Sequence, residues 1–146
     1  MTNWPGENIA RRKHCQEKTL IDRIDHIVLT TDRENACIRF YTEVLGMSLE
    51  TFGDNRRAFR FGDQKINLHV KGNEFEPKAH TPVPGALDLC FIASVPLGSV
   101  IELLTSKQIP IVEGPVLRTG AMGKIRSIYV RDPDLNLIEI SEMADI

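Results

Sequence analysis

Arg131-Asp132-Pro133-Asp134-Leu135-Asn136-Leu137-Ile138-Glu139-Ile140-Ser141 is the stretch whose reading decides the fold. Asp132-Pro133-Asp134 is turn chemistry: proline presets φ at the second turn position, and the aspartates hydrogen-bond nearby backbone. Ile125–Val130 before it and Leu137–Ser141 after it are rich in β-branched and apolar residues, so the unit reads as a β-hairpin. Side chains alternate along a strand, which puts Leu137, Glu139 and Ser141 on one face and Ile138 and Ile140 on the other. One carboxylate therefore leaves an otherwise apolar ribbon, either toward solvent or into a cavity as a ligand or base.

Working outward, a matching pattern occupies the first half of the chain. Ile24–Thr30 is strand-like, with His26 on the face of Ile24, Val28 and Thr30. Thr31-Asp32-Arg33-Glu34 has the spacing of a capping box and predicts a helix start. Ala36, Cys37, Phe40, Tyr41 and Val44 form its apolar face, and Gly46 stops it as a residue able to take φ > 0. Met47–Phe52, Arg57–Phe61 and Lys65–Val70 read as further strands, with Gly53-Asp54-Asn55 and Gly62-Asp63 as turns.

Residues 72–85 hold Pro77, Pro82 and Pro84 without a sustained period and read as a linker. Leu87–Ile92 then begins a second copy of the pattern. Val95-Pro96 opens a helix whose buried stripe is Leu97, Val100, Ile101 and Leu104. Ile109–Val112 is expected to be a short strand and Gly114–Lys124 a loop, with the hairpin completing the unit. His26 falls where Asp88 falls, and Asn67 falls where Glu139 falls. The expected fold is α+β: paired βαβββ modules (21–71 and 86–142, joined by 72–85) in one domain 21–142, forming an open, cup-shaped mixed sheet.

Composition sets the bounds. The 146 residues suit one compact domain, and a net charge of −2 with pI near 6.1 gives no reason to expect nucleic acid as a partner. No run is long enough for a membrane span. Three cysteines without a metal-ligand spacing argue against a disulfide framework, so a reducing cytoplasm is expected, with Cys37 and Cys90 in packing roles. Residues 1–20 read as an N-terminal arm with a basic cluster, Arg11-Arg12-Lys13-His14. His14 and His80 receive no role.

Three pieces together resemble a known family: Asp25-His26-Ile27-Val28-Leu29, Phe40-Tyr41-x-x-x-Leu45-Gly46-Met47, and Asp132-Pro133-Asp134-x-Asn136-x-Ile138-Glu139. The chain is similar to the vicinal oxygen chelate superfamily of glyoxalase I, fosfomycin- and bleomycin-resistance proteins and extradiol dioxygenases. Gly62–His69 and Glu113–Gly120 look like the glyoxalase domain-containing protein 5 type. In that family, divalent-metal ligands come from the first and fourth strands of each module. The resemblance carries them to His26, Asn67, Asp88 and Glu139, with His69 on the same strand face able to substitute for Asn67.

The resemblance implies a metalloenzyme holding zinc, nickel, iron or manganese and acting on a small oxygen-rich metabolite. Lyase or isomerase chemistry similar to glyoxalase I is expected, with metal ligands His26, His69, Asp88 and Glu139, and Glu139 also the catalytic proton acceptor. Arg57, Asn67, Arg118, Thr119, Lys124 and Tyr129 are the expected substrate contacts. A second reading is a metal-free binding protein of the bleomycin-resistance type, favoured by Asn67 and Asp88 in place of stronger ligands. A third, an extradiol-type dioxygenase, needs a second histidine where Asp88 stands. His26 and Glu139 are expected to meet in one cup, and the chain is expected to be a homodimer.

Overall fold

The computed structural model describes residues 19–145, so the reading of the first eighteen residues as part of an arm lies outside the described residues. The first module is β1 (His26–Thr31), α1 (Glu34–Arg39) continued by a π-helical turn (Phe40–Val44), β2 (Ser48–Phe52), β3 (Arg56–Phe61) and β4 (Gln64–Val70). The second is β5 (Asp88–Ile92), α2 (Leu97–Ser106), β6 (Glu113–Gly120), β7 (Gly123–Arg131) and β8 (Leu137–Met143). The strands form two four-stranded sheets of matching topology, β1-β4-β3-β2 and β5-β8-β7-β6. β1 and β5 pair in parallel with β4 and β8, and the remaining pairs are antiparallel. This is the repeated βαβββ unit that the sequence predicts.

Three local expectations are corrected. Thr31 and Glu34 form no capping box: the N-cap is Arg33, without a side-chain cap bond. The Thr31 hydroxyl instead donates to Asp134 and accepts the Arg33 N–H, while Glu34 pairs with Arg57 at 3.2 Å. Ile109–Val112 is not a strand, and the expected loop from Gly114 is β6. Composition misleads there because β6 carries Gly114-Pro115 at a register irregularity between Glu113 and Val116, where an edge strand tolerates proline. Gly114 has φ +103°, and a Cβ there would sit 2.4 Å from the Ser127 carbonyl oxygen, so only glycine fits.

Both sheets bury one face in a single core. Leu29, Phe59, Ile66 and Leu68 enter it from the first sheet, and Ile128, Val130, Ile138 and Ile140 from the second. The helical segments add Cys37, Phe40 and Tyr41 on one side and Leu97, Val100 and Leu104 on the other. Tyr41 stacks on Phe59 with ring centroids 5.0 Å apart, and Phe61 meets Phe91 edge-on at 5.5 Å. Because the inward faces share this core, the other face of each sheet points away from it.

The Asp132–Asn136 turn clasps the modules together. Asp132 is buried, and its carboxylate accepts bonds from the Tyr41 hydroxyl (2.7 Å), the Asp134 and Asn136 N–H groups (2.9 Å each) and Asn136 Nδ2 (2.7 Å). Asp134 accepts from Thr31 Oγ1 and from the Asp32 N–H, and Asn136 Oδ1 accepts from the Leu87 N–H. The motif thus ties β1 and the π-helical turn to the start of β5. Burial, followed by the Asp132 carboxylate, pushes the Tyr41 hydroxyl above its ordinary pKa and keeps it a donor.

Candidate functional site

Register decides which side chains share the outward faces. In the first sheet His26 stands opposite Lys65, Val28 opposite Asn67 and Thr30 opposite His69. β3 adds Ala58 opposite Asn67 and Arg60 opposite Lys65, which places Arg56 on this face too. Asn67 and His69 are 5% and 3% exposed, yet Asn67 Oδ1 and His69 Nε2 have no hydrogen-bond partner among the described residues. Buried polar atoms are nearly always paired, since an unpaired one costs about 1–3 kcal/mol, so this strand face is shaped for something that brings donors.

Its surroundings are cationic. The Arg56 guanidinium lies between the Phe52 and Phe75 rings, 5.2 and 4.9 Å from their centroids, and the Lys65 ammonium sits 3.8 Å from the Phe52 ring centre. Arg60 is held by Glu50. Burial, and next the Arg56 charge, lower the His69 pKa, which keeps the imidazole neutral. A cation bound at His69 would meet that same Arg56 charge. His26 differs: its Nδ1 lies 2.8 Å from Asp25 Oδ2. With Nδ1–H donating to the carboxylate, Nε2 keeps a free lone pair, the orientation a metal-binding histidine takes. The bond to His26 is the main cause holding the Asp25 carboxyl below the usual range.

The outward face of the second sheet carries Asp88 and Cys90 on β5, Glu139 and Ser141 on β8, and Ser127 and Tyr129 on β7. Ser127 and Ser141 hydroxyls are 2.6 Å apart, Cys90 Sγ is 3.4 Å from Ser141 Oγ, and Ser141 donates to Glu139 at 3.5 Å. Arg118 donates to the Tyr129 hydroxyl at 3.0 Å and to Glu113 at 3.2 Å. Cys90 therefore belongs to a polar face, not to the packing role expected of it, whereas Cys37 is fully buried.

The expected site residues divide. Asn67, Arg118 and Tyr129 lie on outward faces. Arg57 stands opposite Leu68 on the core side of its sheet, paired with Glu34; its neighbour Arg56 takes the outward position. Thr119 and Lys124 face each other at 3.0 Å on the side of β6 and β7 away from Arg118. Of the metal set, His26 and His69 stand on one sheet, Asp88 and Glu139 on the other. Among the described residues of one chain, no three His, Cys, Asp or Glu side chains gather to hold an ion. Sequence reading gave no role to Arg56, Lys65 and Asp25; the period-two pattern run back from Ala58 signals Arg56.

A separate, mostly apolar cavity of about 710 Å³ opens between the π-helical turn, the β3–β4 turn, the end of β5 and α2. No helix among the described residues is long and apolar enough to cross a membrane.

Known proteins share this architecture. Residues 23–140 match the family described as the Glyoxalase/Bleomycin resistance protein/Dioxygenase superfamily. The chain is 56% identical over 138 residues to Virulence protein STM3117 of Salmonella typhimurium, covering 92% of this chain and 96% of that one. The crystal structure of that protein superposes with a TM-score of 0.84, covering 86% of this chain and all of the other. Glyoxalase domain-containing protein RDO1 of Mycosarcoma maydis is 52% identical over 130 residues, 89% of this chain and 73% of that protein. A lactoylglutathione lyase from Agrobacterium tumefaciens shares the fold, with a TM-score of 0.65 at 22% identity over 84% of this chain and 94% of that one.

Proposed function

The chain belongs to the glyoxalase/bleomycin resistance protein/dioxygenase superfamily, and on that premise we propose a divalent-metal lyase or isomerase acting on a small oxygen-rich metabolite. Its cup is assembled between two copies, the outward face of the first sheet of one meeting the outward face of the second sheet of the other. The observation that carries this reading is the Asp25–His26 pair beside the unpartnered Asn67 Oδ1, half of a ligand set whose carboxylates, Asp88 and Glu139, stand at the equivalent steps of the other sheet. His26, Asn67, Asp88 and Glu139 are donors suited to a hard or borderline divalent ion. They fit such an ion when drawn from two chains, since the described residues of one chain gather no three acidic, thiol or imidazole groups. The ion would supply Lewis acidity to adjacent substrate oxygens.

The chain's own residues do the rest. Glu139, which accepts from Ser141 at 3.5 Å on its own strand, is the proton acceptor. Arg118, braced by Tyr129 and Glu113, and Arg56, held between two rings, orient an anionic group. Neutral His69 and Asn67 take hydrogen bonds from substrate hydroxyls.

The cationic flank of Arg56, Arg60 and Lys65 favours one further reading, direct capture of a polar anion without metal. Calorimetric titration of untagged protein with cobalt or nickel separates the two. Wild type is expected to bind about one ion per chain, and Glu139→Ala is expected to lose at least tenfold in affinity. Equal, negligible binding by both removes the metalloenzyme reading. A light-scattering mass near the 16.5 kDa of one chain at tens of micromolar removes the shared cup.

A further inference from the structure

Resting on the two-copy cup, we propose that the segment Leu20–Ile24 of each chain lies along the apolar cavity of its partner and clamps the dimer. The segment leads into β1 with Leu20, Ile21 and Ile24 at 98%, 66% and 67% exposure, an apolar run its own chain does not cover. The cavity is bordered by Ile92, Val95 and Leu103, all exposed large apolar side chains, with Val44, Met47 and Phe91 behind them. Uncovered apolar surfaces of this kind mark contact sites, and here one chain carries both halves.

Topology says why they meet between copies. β1 and β5 are equivalent edges of the two sheets, with β2 and β6 at the opposite edges. The sheets are repeats of one another, as the equivalent parallel pairs β1–β4 and β5–β8 show. A two-fold dimer that sets the first sheet of one copy beside the second sheet of the other brings these edges together, and joining like modules about a two-fold axis makes them run antiparallel. The start of β1, at His26, then lies beside the end of the partner's β5, at Ile92. The next residues of that partner strand, 93–95, line the cavity. Four residues of extended chain from Ile24 back to Leu20 span at most about 14 Å, enough to run along it. The outward faces also differ in the balance of charge: Arg56, Arg60 and Lys65 against Glu50 on one, Asp88, Glu113 and Glu139 against Arg118 and Arg131 on the other. Two-fold symmetry fills both cavities at once.

The test is a mixed cross-link in full-length chains lacking Cys15 and Cys90, with fully buried Cys37 kept. One variant carries Ile21→Cys and the other Val95→Cys; after subunit exchange a short bis-maleimide is added. A covalent dimer is expected from the mixture and from neither variant alone. A companion variant, Ile21→Asp with Ile24→Asp, is expected to raise the dimer dissociation constant at least tenfold while its circular dichroism stays unchanged. A dimer by light scattering that gives no mixed product, and whose dissociation constant the aspartates leave unchanged, overturns the clamp and leaves the shared cup standing. A monomer at tens of micromolar overturns both.

Discussion

Removing one oxygen atom tests the clasp that holds the two modules. Tyr41→Phe keeps the ring, with its stack on Phe59 at 5.0 Å and its edge contact with Phe40 at 5.1 Å, so no cavity opens in the core. The lost hydroxyl is the donor 2.7 Å from the buried Asp132 carboxylate. Asp132 keeps the Asp134 and Asn136 N–H groups and Asn136 Nδ2, all within its own turn. What disappears is the one Asp132 bond that crosses to the first module, while Thr31 and the Asp32 N–H keep their bonds to Asp134. A hydrogen bond to a charged group is worth about 1.5–3 kcal/mol, and water does not reach this site to replace it. For a chain of this size a kilocalorie moves the melting temperature by roughly 3–4 °C, so a fall of about 5–10 °C is expected.

The assay is thermal unfolding by circular dichroism at one fixed protein concentration, because the melting temperature of the proposed dimer would depend on it. The same change made in an Asp132→Asn background is expected to cost less, the acceptor then being neutral, and the double-mutant cycle isolates the pair. A Tyr41→Phe protein melting within about 1 °C of wild type refutes the Tyr41–Asp132 bond as an energetic link between the modules.

Other outcomes follow from single sites. Gly114→Ala is expected to cost at least about 2 kcal/mol in urea unfolding, since its φ of +103° and the Ser127 oxygen leave no space for a methyl group. His69 has a pKa lowered mainly by burial, so its contribution is complete above the unfolded value near 6.5 and is lost as pH falls from there toward the folded value. His69→Gln should remove that part of the pH dependence of the melting temperature. The Glu142 carboxyl is held low chiefly by the Leu97 N–H at the start of α2, and its contribution is present above about 4.5 and lost as pH falls through the depressed value. Glu142→Ala should therefore lower the melting temperature at pH 7 and bring it closer to wild type near pH 3.

The parts of the fold that were legible in sequence depend on local chemistry. The Asp132-Pro133-Asp134 turn, the Gly46 stop and the alternation of Glu139 with Ile138 and Ile140 are each set within a few residues. The misreadings share another cause, a distant partner. Thr31 has the right neighbours for a capping box, but Asp134, far along the chain, takes its hydroxyl. Gly114-Pro115 has the composition of a loop, yet β7 supplies the ladder that makes it strand. β3 begins at Arg56, not Arg57, and because strand faces alternate, mistaking neighbours by one residue moves a side chain to the opposite surface. Gathering His26 with Glu139 depends on which surfaces of two modules meet, and two modules sharing one core satisfy the hydrophobic pattern with their polar faces turned outward.

That alternation also separates the protein's two tasks along each central strand. On β4, Ile66 and Leu68 enter the core while Asn67 and His69 face outward; on β8, Ile138 and Ile140 enter it while Glu139 and Ser141 face outward. A sequence selected for stability alone has no reason to bury Asn67 Oδ1 and His69 Nε2 without partners among the described residues when apolar residues suit strand positions of this kind. The core-facing residues stabilise the sheet enough to offset that cost, and local rules broken without a structural gain are characteristic of functional surfaces. The cost falls on β4, at the centre of the face that the partner copy is proposed to cover, and hydrogen-bond donors from a bound metabolite would relieve it.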